Sequence, residues 1–193
     1  ASDVYKRQHH IYTVGEHTIR SMQYIRADKV LRLTMLLHDV AKPVCRTEDE
    51  NGIHHFHGHP QVGAEMSRKI LRRLKFDNDT IHRVMALVRA HDDRPPLQGR
   101  SVRRAIYRNG TEQYPELFEV KRADILAQSS FLQQEKLLYV DRYEHMYQQI
   151  MEKEQCLSLK ELAVNGSDLI ARGIQPGKEI GEILHQMLEK VLE

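Results

Sequence analysis

Apolar side chains recur every three or four residues along most of the chain, which is the spacing of amphipathic helices. The pattern predicts helices over residues 14–27, 29–40, 62–74, 77–91, 102–107, 114–127 and 132–154, and a final one after Pro176-Gly177. Segment 29–40 is apolar on most sides, which indicates a central position in a helical bundle. Residues 44–58 are polar and contain the turn signal Asn51-Gly52, so they predict a loop or one short hairpin. We therefore expect an all-α fold.

The C-terminal part differs from the rest, with turn signals at Asn165-Gly166-Ser167 and Gly173. We predict one main domain over residues 9–157 and a small helical appendage over 158–193. Residues 1–8 show no periodicity and are expected to be a disordered lead or a vector-derived remnant.

Composition narrows the class of protein. Among 193 residues, 29 Lys and Arg nearly balance 27 Asp and Glu, which is not the charge of a protein that coats nucleic acid. Two cysteines, Cys45 and Cys156, are too few for a disulfide framework or a Cys-rich zinc module. No long apolar run or signal-peptide pattern is present, so we expect a cytoplasmic protein without membrane contact. Twelve histidines, against ten glycines, are the unusual feature.

The dipeptide His38-Asp39 lies at the end of the most apolar predicted helix. A buried imidazole next to a buried carboxylate is costly unless the two are paired or bind a metal. The alternative is a helix cap, since a histidine near a helix C-terminus is favourable. A lone His-Asp pair would favour the cap.

The pair is accompanied by further ligand-type residues on other predicted helices. They are His17, His59, His91 and Asp124. Helical bundles build metal sites from side chains on facing helices. Mixed imidazole and carboxylate ligands suit a divalent ion such as Mn, Ni, Co, Fe, Zn or Mg.

The order His17, His38-Asp39, Asp124 resembles that of the HD superfamily of metal-dependent phosphohydrolases. Longer motifs are similar to the HD region of bacterial CCA-adding tRNA nucleotidyltransferases. These motifs are YTVGEHT at 12–18, LLHDVAKP at 36–43, FHGHPQVGAE at 56–65, NGSDLI at 165–170 and IQPGK at 174–178. The resemblance extends from about Gln8 to the C-terminus and implies an HD-domain helical bundle.

The resemblance implies that His17, His38, Asp39 and Asp124 bind one divalent ion. A second ion is an open alternative, in which Asp39 bridges and His59 and His91 complete the site. Otherwise these two histidines would contact substrate or donate hydrogen bonds.

We assign Asp39, His38 and Lys42 as catalytic. Three basic side chains are candidates for binding a substrate phosphate: Lys42, Arg103 and Arg104. Lys42 could hold the phosphate as a point charge. Its alternative role is a cation at a helix C-terminus. Arg103 and Arg104 lie in a basic run and are candidates for a bidentate phosphate contact, with a solvated helix face as the alternative.

The resemblance implies a metal-dependent phosphohydrolase that uses metal-activated water. Expected substrates are small nucleotide-type phosphate esters: 2′,3′-cyclic nucleotides, 2′-nucleotides or other phosphomonoesters. Alternatives are a non-catalytic tRNA-binding or RNA-binding module, a structural metal-bound helical module, and a regulatory nucleotide sensor. The near-neutral charge predicts at most a weak tRNA or RNA contact. No Gly-rich loop with paired carboxylates precedes His17, so we do not expect this chain by itself to add CCA.

Overall fold

The computed structural model describes residues 12–153 and 158–192, and these are almost entirely helical. The helices are α1 (Val14–Ser21), α2 (Lys29–Leu37), α3 (Lys42–Cys45), α4 (His59–Arg73), α5 (Asn78–Ala90), α6 (Gly99–Asn109), α7 (Tyr114–Ala127), α8 (Gln133–Glu152), α9 (Gly166–Ala171) and α10 (Lys178–Val191), with a 3-10 turn at Leu159–Glu161. The all-α prediction is confirmed. The predicted lead, residues 1–8, lies outside the described residues.

A small hairpin lies between α3 and α4, within the segment 44–58 for which the sequence predicted a loop or a hairpin. Strands β1 (Thr47–Glu48) and β2 (His54–His55) pair antiparallel, with Thr47 opposite His55. Gly52 in the connecting turn has φ 72°, a left-handed conformation that glycine adopts without strain.

Side-chain caps fix where several helices begin. Thr13 and Glu16 form a reciprocal capping box at the start of α1. Asp28 accepts a hydrogen bond from the Leu31 amide at 3.0 Å and begins α2. Asp77 accepts one from the Thr80 amide at 2.8 Å and begins α5. Each cap satisfies an amide that has no partner inside its helix.

Two predicted helices end earlier than the apolar pattern suggested. Helix α1 ends at Ser21 instead of residue 27, because the amides of Gln23 and Tyr24 bond back only three residues in successive turns. Helix α2 ends at Leu37 instead of residue 40, and Pro43 lies in the short helix α3 instead of marking the end of α2. The early end of α2 leaves His38 and Asp39 at a helix terminus. Helix α10 begins at Lys178, so Pro176 precedes its first turn instead of lying within it.

The chain divides into two compact units. The first comprises the described residues up to Arg94 together with Glu112–Asp141. Within it, α2 packs against α1, α5 and α7, which confirms the predicted central position. Leu31 and Met35 of α2 are fully buried, as is Phe118 of α7.

The second unit comprises the described residues of Pro95–Thr111 and Arg142–Glu193. Its buried residues include Ile106 of α6, Tyr143 of α8 and Leu188 of α10. The division into a main domain over residues 9–157 and an appendage over residues 158–193 stays a prediction. No helix within residues 12–153 and 158–192 is both long and apolar enough to cross a membrane.

A buried lysine joins two helices of the first unit. Lys121 of α7 is 4% exposed. Its Nζ donates to the carbonyl oxygens of Ala90, His91 and Asp93, at 3.3, 2.8 and 2.6 Å. Burial lowers the pKa of Lys121 to about 8. Lys121 therefore satisfies carbonyls that the end of α5 leaves without partners inside the helix.

Replacing Lys121 should loosen the end of α5. Lys121→Met keeps most of the apolar stem but removes the donor from three carbonyls, so we expect a loss of roughly 1–3 kcal/mol in the free energy of unfolding. Urea denaturation followed by circular dichroism measures this. Arg122→Met is the matched control, since Arg122 pairs with Asp141 in a partly exposed salt bridge and should cost less than about 1 kcal/mol. Equal midpoints for the two variants would contradict this account of Lys121.

Candidate metal centre

Six histidine and aspartate residues bring their side chains together in the first unit, and none of these residues is more than 9% exposed. They are His17 of α1, His38 at the end of α2, Asp39 in the following turn, His59 at the start of α4, His91 at the end of α5, and Asp124 of α7. The structure thus brings together every residue that the sequence predicted as a metal ligand. Their role as ligands stays a prediction.

Helix termini position three of these histidines. His38 and His91 are the C-caps of α2 and α5, and both have φ −56° and ψ −37°. His59 is the first residue of α4, directly after Gly58 with φ 76°. Helix α4 passes close to the end of α2 at Gly63, where a Cβ would be in ordinary van der Waals contact, at 3.6 Å, with the His38 carbonyl oxygen.

The first cluster is formed by His17, His38 and Asp124 with one oxygen of Asp39. The shortest separations are 2.8 Å from His17 Nε2 to Asp124 Oδ1 and 3.1 Å between the Nε2 atoms of His17 and His38. His38 Nε2 lies 3.3 Å from Asp39 Oδ2 and 3.6 Å from Asp124 Oδ1. Donor atoms that share one ion at about 2.1 Å lie about 3.0–3.4 Å from one another. The spacing of this cluster therefore fits a single divalent ion.

The second cluster is formed by Asp39, His59 and His91. Asp39 Oδ1 lies 3.5 Å from His59 Nε2 and 3.8 Å from His91 Nε2, and the two Nε2 atoms are 3.3 Å apart. Asp39 thus presents Oδ2 to the first cluster and Oδ1 to the second.

Asp39 Oδ1 supplies a direct test of whether a cation fits. This atom is buried and accepts no hydrogen bond from any residue that the structure describes. A buried carboxylate oxygen without a partner is costly, whereas a cation between Asp39 and the two histidines would compensate it.

The histidine tautomers also indicate that a cation fits between these side chains. The Nδ1 atoms of His38, His59 and His91 lie 2.7, 2.9 and 2.7 Å from the carbonyl oxygens of Met35, Phe56 and Val88. Since a carbonyl only accepts, each Nδ1 donates, and the lone pair of a neutral ring is left on Nε2. The Nε2 atoms of His59 and His91 would then face each other with two lone pairs. Metal-binding histidines are held by such outer contacts.

The charges of the site favour ionised carboxylates. Burial opposes ionisation of Asp39, but the hydrogen bond and charge of His38, with Lys42, hold the Asp39 pKa below its usual range. Burial also lowers the pKa of His38, yet Asp124 and Asp39 together raise it to about 10. Burial and the charge of His38 lower the pKa of His91 to about 4. Binding of a metal at His38 would therefore release a proton.

A cavity of about 520 Å³ opens onto both clusters. Lys42 lines it, and its Nζ lies 2.7 Å from Asp39 Oδ2. The hairpin and the residues after it supply His54, His55 and His57 to the wall, and Arg94 and Lys136 add positive charge. A cavity of this size is typical of a small-molecule site.

The basic residues predicted to bind substrate have different surroundings. Lys42 lies at the cavity as expected. Arg103 and Arg104 belong to the second unit, where Arg103 Nε donates to the Leu192 carbonyl at 3.2 Å and Arg104 pairs with Glu189 at 2.6 Å. The assignment of these two arginines stays a prediction.

Sequence reasoning missed a polar chain behind Asp124. Gln128 Nε2 donates to Asp124 Oδ2 at 3.0 Å, and Lys136 Nζ donates to Gln128 Oε1 at 2.8 Å. The position of Gln128, four residues after Asp124, was a signal that could have been used, since such residues share a helix face. Nothing in the local sequence pointed to Lys136.

Comparison with known proteins finds that the chain is similar to part of two tRNA nucleotidyltransferases. It is 33% identical to the CC-adding tRNA nucleotidyltransferase of Thermus thermophilus in an alignment 191 residues long, which covers 96% of this chain and 42% of that protein. It is 32% identical to the A-adding tRNA nucleotidyltransferase of Deinococcus radiodurans in an alignment 190 residues long, which covers 94% of this chain and 43% of that protein. The chain thus spans about two fifths of the length of these relatives.

The family model described as tRNA nucleotidyltransferase domain 2 matches residues 47–193, which contain three of the six clustered side chains, His59, His91 and Asp124. The predicted relation to the CCA-adding enzymes is confirmed, and the chain belongs to the tRNA nucleotidyltransferase domain 2 family.

Proposed function

We propose that the first unit is a metal-dependent phosphohydrolase for nucleotide-type phosphate esters. The expected substrates are 2′,3′-cyclic nucleotides, 2′-nucleotides or other phosphomonoesters. The convergence of six buried histidine and aspartate side chains around one carboxylate, Asp39, is the observation that carries this proposal. The resemblance of His17, His38-Asp39 and Asp124 to the HD pattern supports it further, and a cytoplasmic location belongs to the same proposal.

The side chains present would suffice for two ions. His17, His38, Asp39 and Asp124 would hold the first, and Asp39, His59 and His91 the second. When bound, such ions neutralise phosphoryl charge and lower the pKa of water.

The protein's own groups would orient this chemistry. Lys42 donates to Asp39 Oδ2 and lines the cavity, so it can hold that carboxylate in place and attract a phosphate. The Met35 carbonyl fixes the ring of His38, and Gln128 fixes Asp124. These contacts support the proposed catalytic roles of Asp39, His38 and Lys42.

A second candidate is a structural, metal-held module that contacts tRNA without hydrolysis. The names of the relatives favour it, since both act as tRNA nucleotidyltransferases. Helix α4 also carries a basic stretch, Arg68, Lys69, Arg72 and Arg73. This candidate predicts bound metal and no turnover of any phosphoester.

Removing Asp39 should abolish hydrolysis. Asp39→Ala takes the shared ligand from both clusters, so we expect at least about a 100-fold loss of turnover with helical circular dichroism retained. The assay is release of phosphate, or opening of a 2′,3′-cyclic nucleotide, with Mn²⁺, Co²⁺ or Ni²⁺ present.

Two further variants make the Asp39 result interpretable. Asp39→Asn keeps the volume of the side chain and guards against a folding defect. Asp141→Ala removes an exposed carboxylate of the same unit and should retain activity. Wild-type turnover of Asp39→Ala after chelation and reloading with metal would contradict the assignment. A wild-type protein that binds metal yet hydrolyses nothing in a broad phosphoester panel would favour the structural module.

The number of ions is open to a direct count. If His59 and His91 hold a second ion, the wild type binds about two ions per chain, and His59→Ala and His91→Ala each lower the number toward one. Elemental analysis after loading with Mn²⁺ and gel filtration gives the number. His57→Ala, which removes an exposed histidine from the cavity wall, should leave it unchanged. Unchanged metal content in both test variants would make His59 and His91 substrate contacts instead.

A further inference from the structure

A second cavity, of about 400 Å³, adjoins the candidate metal centre within the first unit. His91, Arg94, Asp124 and Lys136 line both cavities, so the two share a wall of charged and polar groups. The remainder of the second cavity differs in chemistry. It is lined mainly by Ile125 of α7, Leu132, and Tyr139 and Val140 of α8, with Lys121 and Glu135 as its two charged members.

Leu132 is held in an unfavourable backbone conformation at this cavity. Its φ is 52°, in the left-handed region that a branched aliphatic residue rarely adopts because it is strained there. Its side chain is 42% exposed although it is large and apolar. Strained residues of this kind cluster at ligand sites. The conformation of Leu132 thus keeps an apolar surface at the edge of the cavity.

The shared wall is suited to an anion. Burial and the nearby charge of Arg94 lower the pKa of Lys136, whereas Asp124 opposes that shift. Two cations that repel each other across a cavity are stabilised by an anionic group between them. Arg94 also donates to Asp92 at 3.2 Å, and Lys136 to Gln128 at 2.8 Å, so both side chains are held in place.

The two cavities therefore offer, side by side, a phosphate site and an apolar slot with an aromatic wall. A nucleobase is flat, has apolar faces and stacks on aromatic rings. A sugar phosphate without a base would leave the apolar slot unfilled.

We propose that the second cavity binds the base of a mononucleotide whose phosphate lies at the metal centre between Arg94 and Lys136. Tyr139 and Leu132 contact the base, and the site thereby selects nucleotides over other phosphomonoesters. This inference rests on the proposed function, because it assumes that the phosphate of the substrate lies at the metal centre.

Binding without turnover tests the base site separately from hydrolysis. Equilibrium dialysis in EDTA compares adenosine 5′-monophosphate with ribose 5-phosphate, which carries the same phosphate ester but no base. We expect the wild type to bind the nucleotide at least about tenfold more tightly, since burial of an aromatic base contributes more than 1.4 kcal/mol.

Two variants remove the proposed base contacts. Leu132→Gly deletes the apolar side chain and suits the positive φ, and Tyr139→Ala removes the aromatic wall. Leu138→Ala is the matched control, since Leu138 lies on the same helix, is 49% exposed and lines neither cavity. Thermal melts establish that each variant is folded.

The expected result is a preference for the nucleotide that falls severalfold in at least one folded test variant and persists in Leu138→Ala. Equal affinity of the wild type for the two ligands overturns the proposal. A preference retained in both Leu132→Gly and Tyr139→Ala also overturns it, since the base then binds elsewhere. Hydrolysis without preference for a base would leave the proposed function intact and remove this inference alone. A base preference without hydrolysis would overturn the proposed function and leave the second cavity as a nucleotide-binding site without turnover.

Discussion

The buried carboxylate of Asp39 is the constraint on which the centre of the first unit depends. It is 1% exposed, and its two oxygens face different groups: Lys42 and His38 on one side, His59 and His91 on the other. Burying a charge costs several kcal/mol unless close partners compensate it. The chain supplies those partners by ending or beginning helices at this point, so that polar groups reach an otherwise apolar core.

Helix termini serve this arrangement in two ways. They place His38, His59 and His91 around Asp39, and a nearby backbone carbonyl holds each ring by its Nδ1. The carbonyls at the end of α5 need donors, which Lys121 provides from α7, the helix that also carries Asp124. The positions of His91 and Asp124 are thus coupled through Lys121. Loosening that contact would disturb side chains of both clusters.

The sequence predicted the main features of this fold because they are local. Spacing of apolar residues located the helices, Asn51-Gly52 located the hairpin, and polar His38-Asp39 after an apolar helix indicated a site. The predicted ends of α1 and α2 were wrong by several residues, because apolar side chains continue through the turns that follow each helix.

Contacts between distant residues could not be read from the sequence in this way. Lys121 is 30 residues from His91 along the chain, and a lysine followed directly by Arg122 in the sequence resembles any surface lysine. The second cavity depends on the packing of α7 against the start of α8 and on one strained residue, Leu132. Such features result from tertiary packing, which periodicity does not encode.

Anomalous X-ray scattering from crystals grown with Mn²⁺ or Ni²⁺ tests the central claim most directly, because it locates the ion without reference to activity. The account predicts a strong peak at bonding distance from His17, His38, Asp39 and Asp124, with a second peak beside His59 and His91 if two ions bind. A metal-loaded protein with no peak at Asp39, or with its peaks elsewhere on the chain, would contradict it.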